Sequence, residues 1–311
     1  MKFRYHINGV LLIDKPKGIS SAQVVKQVKN IFQVSKVGHT GALDPLATGI
    51  LPICFGESTK FSNYLLNSNK RYLVIAKLGI KTDTSDAEGK IIKERKINFT
   101  NYQLQLILKK FIGNIDQQPS MYSAIKYRGI PLYKYAREGI TINRETRKII
   151  IYELNYIIHN KKFIKLEIYC SKGTYIRTLI DDLGEELGCG AHVVFLRRIQ
   201  VGFYNLTNLV NLEKLNNLKI YYHENNLIYS KYIKKLLYPI DSPISHLSKI
   251  NLNEDESKKI IQGQAIKLSR IYIFPRKTVR IINIHTKLFI GIGKINQDNF
   301  LIPIRLISIC L

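Results

Sequence analysis

Apolar and polar positions alternate along the chain in segments whose period names the element. Residues 9–13 form a short continuous apolar run, which reads as a buried strand closed by the turn Asp14-Lys15-Pro16-Lys17-Gly18. Ser20 with Gln23 three residues on is a capping-box signature, and Val24, Val28, Ile31 and Phe32 recur behind it at helical spacing. A glycine-rich segment, residues 38–56, precedes a helix expected over about 57–66. A strand over 71–80 places Tyr72, Val74, Ala76, Leu78 and Ile80 on one face. Leu104, Ile107, Leu108 and Phe111 mark a helix over 100–111. Two Ile-rich runs, 148–158 and 163–170, flank Asn160-Lys161-Lys162 as a hairpin. Ser171-Lys172-Gly173 leads into a helix carrying Ile176, Leu179, Ile180 and Leu183 and ended by Gly188, followed by a strand over about 193–203.

Residues 205–249 have weak periodicity and are expected to wrap or link, whereas the last 60 or so alternate Ile-rich runs with turn residues. Hairpins outnumber regular βαβ alternation, so the expected class is α/β of the α+β type, with a mixed, mainly antiparallel sheet. The expected division is a larger domain over 1–249, with an insertion at about 120–150, and a small β-rich domain over 250–311.

Charge adds a partner. The 311 residues hold 48 Lys and Arg against 23 Asp and Glu, a net +25, which points to a polyanion such as nucleic acid or an acidic membrane surface. Abundant Ile, Lys and Asn also suggest a biased genome that raises Lys without functional cause. Hydrophobic residues at 45% exclude a disordered basic tail. The surplus is partly local. Residues 120–150 hold seven Lys or Arg against two Glu, interleaved with Tyr122, Tyr127, Tyr133 and Tyr135, and residues 250–311 hold ten against four. Cys54, Cys170, Cys189 and Cys310 lack metal-site or disulfide spacing, and no apolar run reaches the ~18 residues of a membrane span. A cytoplasmic protein is expected, with no membrane attachment.

The most specific stretch is GHTGALDPLATG, residues 38–49, a tight loop with Asp44 between Leu43 and Pro45. An Asp there is either a turn former or a held carboxylate. Neither G-x-x-x-x-G-K-[ST] nor a strand-linked G-x-G-x-x-G is present, so nucleotide-cofactor folds lose support. Asp83, Asp86 and Glu88 lack EF-hand spacing and read as a solvated or substrate-contacting loop.

With its surroundings, this loop resembles the TruB family of pseudouridine synthases. The matching blocks are GVLLIDKPKGISS (9–21), GHTGALDPLATGILPICFGESTK (38–60), KRYLVIAKLGIKTDTSDAEG (70–89), CSKGTYIRTLIDDLGEELGCGAH (170–192) and FLRR (195–198), in family order. The resemblance implies a sheet-based catalytic fold with an inserted RNA-gripping segment and a C-terminal PUA-like RNA-binding domain. It also implies isomerisation of uridine 55 in the T arm of tRNA without cofactor or metal.

That reaction breaks the N1–C1′ bond, turns the uracil and joins C5 to C1′. Glycoside hydrolysis needs two carboxylates; here water is excluded, and one carboxylate nucleophile suffices. The resemblance assigns that role to Asp44, with Arg177 as the cation that keeps it ionised. Read alone, Arg177 would be an i,i+4 helix partner of Asp181. Tyr72 matches the tyrosine that lies against the uracil and is a candidate for removing the C5 proton, although a strand tyrosine facing a core is the ordinary reading. Tyr175 and Leu196 are implied contacts of the flipped nucleotide, and His39 a stacking residue that holds the T loop open. Lys15 braces either this loop or a phosphate. The expected partner is tRNA, bound by a monomer with no obligate protein partner. The alternative is a tRNA folding helper acting through binding alone.

Overall fold

The computed structural model describes residues 6–160, 162–221, 233–270 and 277–308. A twisted sheet carries the first part of the chain. Its strands are β1 (Gly9–Lys15), β2 (Val37–His39), β3 (Thr48–Phe55), β4 (Lys70–Leu78), β7 (Gly113–Gln117), β10 (Arg147–His159), β11 (Phe163–Cys170) and β12 (Ala191–Val201). They are ordered β1-β3-β12-β4-β11-β10-β7, with β2 against β3, and every pair is antiparallel except β12 with β3. The mixed, mainly antiparallel sheet expected from the sequence is therefore present.

Helix α1 (Ser21–Phe32) starts at the predicted capping box, with Gln23 N donating to Ser20 Oγ and Ser20 N to Gln23 Oε1. Its Val24, Val28, Ile31 and Phe32 pack on Leu11 and Ile13 of β1 and on Leu51, Ile53 and Phe55 of β3. Each such aliphatic burial is worth about 1.5–3 kcal/mol. On the other half of the sheet, α3 (Asn101–Lys110) and α5 (Ile176–Glu186) cover Val74, Ala76, Ile164, Leu166 and Ile168. The predicted hairpin 148–170 is the β10–β11 pair; of its turn, Lys161 lies outside the described residues.

Several expectations are corrected. β1 continues through Asp14 and Lys15, which keep pairing with Ile50 and Gly49 because their side chains find partners in the fold. The glycine-rich segment contains β3, an interior strand whose residues 49–55 are all buried. The glycines disguised an apolar run of full strand length. The helix expected over 57–66 is a 3₁₀ turn (Gly56–Phe61) followed by α2 (Ser62–Leu66). Ile80 falls beyond β4, past the positive φ of Gly79, in the short strand β5 (Ile80–Thr82) that pairs with β6 (Ile91–Glu94). The basic insertion forms a small hairpin, β8 (Lys126–Tyr127) with β9 (Ile130–Pro131), and α4 (Leu132–Arg137), and has given way to the sheet by Arg147. Within 205–249 stands α6 (Leu212–Tyr221), whose Leu212 and Leu215, with Leu218 against them, pack into the α1 core; a strict three-residue spacing drifts off one helical face and leaves a weak periodic signal.

A second sheet, ordered β13-β15-β16-β17-β14, holds β13 (Lys249–Leu252), β14 (Ile266–Lys267), β15 (Thr278–Asn283), β16 (Phe289–Ile295) and β17 (Phe300–Leu306), with α7 (Glu254–Ile261) against it. It joins the first part through an apolar seam of Phe61, Ile244, Leu247, Phe289 and Ile292. Lys60 Nζ donates to Leu306 O, and Ser308 N to Glu57 Oε2. No helix among the described residues is long and apolar enough to cross a membrane. Cys54, Cys170 and Cys189 are free and buried; Cys310 lies outside the described residues.

Candidate active site

The Asp44 loop runs between β2 and β3 and is pinned from both sides. Leu43, Leu46 and Ala47 are buried beneath it. Ser21 Oγ accepts from Leu43 N at 2.7 Å and donates to Leu43 O at 3.1 Å. Lys15 is wholly enclosed and donates from Nζ to the carbonyls of Pro16, Pro45 and Ala47 at 2.8, 3.3 and 2.7 Å. Of the two readings of Lys15, bracing the loop is the one its geometry serves. At Gly49 the φ is +99°, and a Cβ would run into the backbone of Arg198. That close approach lets β12 lie along the start of β3.

Asp44 meets Arg177, in the first turn of α5. Arg177 Nε lies 2.9 Å from Asp44 Oδ2 and Nη2 donates to Oδ1 at 3.0 Å, a bidentate pair. Nη2 also donates to Tyr122 O, while Nη1 donates to Thr84 O and to Asp86 Oδ2. All five N–H groups of the guanidinium have acceptors. Its side chain is 7% exposed and that of Asp86 4%, whereas Asp44 is 39% exposed. The carboxylate is thus backed by a buried, fully committed cation while its open side faces a cavity. Asp181 is not the partner of Arg177; it pairs with Lys81 Nζ at 3.1 Å.

The cavity holds about 310 Å³, and Asp44, Tyr72, Tyr175, Arg177, Leu196 and Arg198 are in its lining. Tyr72 rises from β4 opposite Arg198 of β12. Burial raises its phenol above the usual range, and the Arg198 guanidinium opposes that shift. The phenol is therefore protonated at neutral pH. Tyr175 sits at the start of α5, held by Gln117: Tyr175 N donates to Gln117 Oε1 at 2.8 Å and Gln117 Nε2 returns to Tyr175 O at 3.0 Å. Leu196, 4% exposed, closes the apolar wall.

Of the residues singled out in the sequence, Asp44, Tyr72, Tyr175, Arg177 and Leu196 converge on this cavity. His39 does not line it. His39 ends β2, half-buried, with Nδ1 enclosed and unpartnered, and burial plus the Arg198 charge lower its pKa. A neutral ring results at neutral pH.

Three participants escaped the sequence reading. Asp86 is no solvated loop residue: Thr84 Oγ1 and Glu88 N donate to its Oδ1, leaving Oδ2 for Arg177. Arg198, 1% exposed, donates from Nε to Ile50 O and from Nη2 to Gly41 O. Lys70, also buried, donates to the carbonyls of Leu65, Leu66 and Ser68. For Lys70 and Arg198 the local hint was a polar residue at a position of inward strand parity; Asp86 lies in the loop between β5 and β6. No cluster of metal-ligating side chains occurs among the described residues.

Known proteins resemble the chain along nearly its whole length. Residues 29–176 match the TruB family pseudouridylate synthase N-terminal domain, residues 177–245 the tRNA pseudouridylate synthase B C-terminal domain, and residues 248–307 the pseudouridine synthase II TruB C-terminal domain. The tRNA pseudouridine synthase B of Photorhabdus laumondii is 51% identical over 97% of this chain and 96% of its own length. That of Buchnera aphidicola from Acyrthosiphon pisum is 49% identical over 97% and 96%. In fold, the chain is similar to a solved H/ACA RNP bound to a substrate RNA containing 2′-deoxyuridine (TM-score 0.73, 22% identity, 97% of this chain and 85% of that one). It is similarly close to a Cbf5-Nop10-Gar1 complex (TM-score 0.72, 24% identity, 97% and 85%). By its sequence along nearly its whole length, the chain belongs to the TruB family of pseudouridylate synthases.

Proposed function

We propose that this chain converts uridine 55 in the T arm of tRNA to pseudouridine, as an RNA isomerase with no cofactor, and that Asp44 is its nucleophile. The observation that carries the reading is the Asp44–Arg177 pair: a carboxylate fixed by a bidentate guanidinium, with its open side in a cavity walled by Tyr72, Tyr175 and Leu196. Flipping the target base out of its stack costs about a few kcal/mol. Basic contacts of the 120–146 segment supply that energy together with aromatic stacking worth about 1–3 kcal/mol per base.

In this reading the N1–C1′ bond breaks, uracil stays in the cavity and turns, C5 bonds to C1′, the C5 proton departs with Tyr72 beside it, and N1 takes up a proton. Tyr175 and Leu196 hold the base, and neutral His39 stacks where the base left. Lys15 serves by fixing the loop. We assign catalysis to residues 1–249 and further RNA contact to residues 250–311, with the protein acting as a monomer in the cytoplasm.

The test is nucleoside analysis of unmodified tRNA after incubation with the purified protein. Pseudouridine at position 55 supports the proposal. RNA binding with no pseudouridine favours the folding-helper alternative.

A further inference from the structure

Lys70 and Arg198, two buried cations, are in the lining of the cavity and a third, Lys15, lies under the Asp44 loop; none forms an ion pair among the described residues. Carbonyl oxygens hold them, joined at Arg198 by the Tyr72 hydroxyl. Buried charges are ordinarily paired, because desolvating an unpaired one is costly. Neutral amide donors could brace the same carbonyls, so the positive charge itself calls for a reason. The Asp44–Arg177–Asp86 cluster carries one net negative charge, which leaves the cavity surroundings positive.

The three cations differ in what they have left to give. Each lysine ammonium has three donors and meets three carbonyls. Arg198 has five donors and commits Nε and one Nη2 hydrogen to Ile50 and Gly41. Its Nη1 stands by Gly41, at the cavity lining, and its guanidinium adjoins the Tyr72 hydroxyl.

We propose that Arg198 is a catalytic residue whose guanidinium edge stabilises the negative charge that uracil gains when its bond to the ribose breaks. The proposal rests on the pseudouridylation reading and deepens it. As N1–C1′ cleaves, its electron pair passes to the ring and spreads over O2 and O4. The ring becomes anionic whether an Asp44 oxygen bonds to C1′ or adds to the base. When C5 attacks C1′ the electron pair forms the C5–C1′ bond and any bond from Asp44 to C1′ or to the base breaks, its electrons returning to the carboxylate; the C5 proton then leaves and N1 gains one. Arg198 is placed where this transient charge develops and pays no reorganisation to meet it, while Lys15 and Lys70 add to the field.

The test uses single-turnover kinetics on T-arm RNA carrying uridine or 5-fluorouridine at the target. Fluorine stabilises the departing base as an anion, and loss of the starting nucleoside from nuclease digests reads the cleavage step for both. Arg198→Gln is expected to slow uridine by about 10²-fold with RNA affinity unchanged, and Arg198→Lys to recover part of the rate. The Gln deficit is expected to shrink about tenfold on 5-fluorouridine. A misfolded fraction would slow both substrates alike, so the ratio isolates the charge. Equal slowing on the two bases, or no recovery with Lys, overturns the role of Arg198. Failure of the unsubstituted protein to convert uridine overturns instead the reading on which the proposal rests.

Discussion

Arg177 meets Asp44 edge to edge, Nε to Oδ2 at 2.9 Å and Nη2 to Oδ1 at 3.0 Å, and the same guanidinium reaches Asp86 at 3.1 Å. One residue therefore orients the Asp44 carboxylate and is itself oriented by a second, enclosed carboxylate. A lysine cannot reproduce both contacts, since it offers a point charge in place of a planar fork. Arg177→Lys is expected to lower the single-turnover rate by about 10²-fold while tRNA affinity stays near that of the parent, as measured by filter binding alongside kinetics.

Asp86 carries a stability cost as well. Asp86→Asn leaves the buried Arg177 charge with only the half-exposed Asp44 opposite it. Losing a buried partner costs about 3 kcal/mol, so the urea midpoint is expected to fall together with the rate. An unchanged midpoint would mean that Asp86 is not a structural support of the guanidinium.

The basic segment gives a separable prediction. Lys126, Arg128 and Lys134 lie on the hairpin and helix of the insertion and none reaches the Asp44 cavity. Charge reversal at all three is expected to weaken tRNA binding and to flatten the salt dependence of affinity by a slope of about 0.9 per lost phosphate contact. Once RNA is saturating, the rate of the bound complex should change less. An unaltered salt slope would remove this segment from the RNA-binding surface.

Proton linkage gives activity and stability opposite signs. Burial lowers Lys15 and Lys70 from 10.5 to about 8. As pH rises through about 8 the cavity loses positive charge, so the single-turnover rate is expected to decline on the alkaline side. Between about 8 and 10.5 the unfolded chain binds more protons than the folded one, so the lysines' contribution to unfolding free energy grows with pH across that window. It is lost as pH falls to about 8. Comparing the parent with Lys70→Met by urea unfolding near pH 7 and near pH 9.5 checks the sign: the parent should gain relative to the variant at the higher pH.

Local signals placed much of this molecule. The Ser20–Gln23 box started α1 where expected, and the Ile-rich runs paired as β10 and β11, because caps and alternation act over a few residues. The Asp44 loop was legible from its glycines and Asp-Pro, and Arg177 from its family block. Asp86 and Arg198 were not, since their meaning lies in contacts 91 and 148 residues away in sequence. β3 was hidden by glycines that serve strand packing, and α6 by leucines spaced every three residues, which drift off one helical face.

The central claim is that a carboxylate at position 44 performs the chemistry. Tritium release from 5-tritiated uridine in T-arm RNA measures departure of the C5 proton directly. The parent protein is expected to release tritium, and Asp44→Asn, which keeps the loop and its side-chain shape, to bind the RNA with similar affinity and release none. Release by the variant at the parental rate would contradict the account.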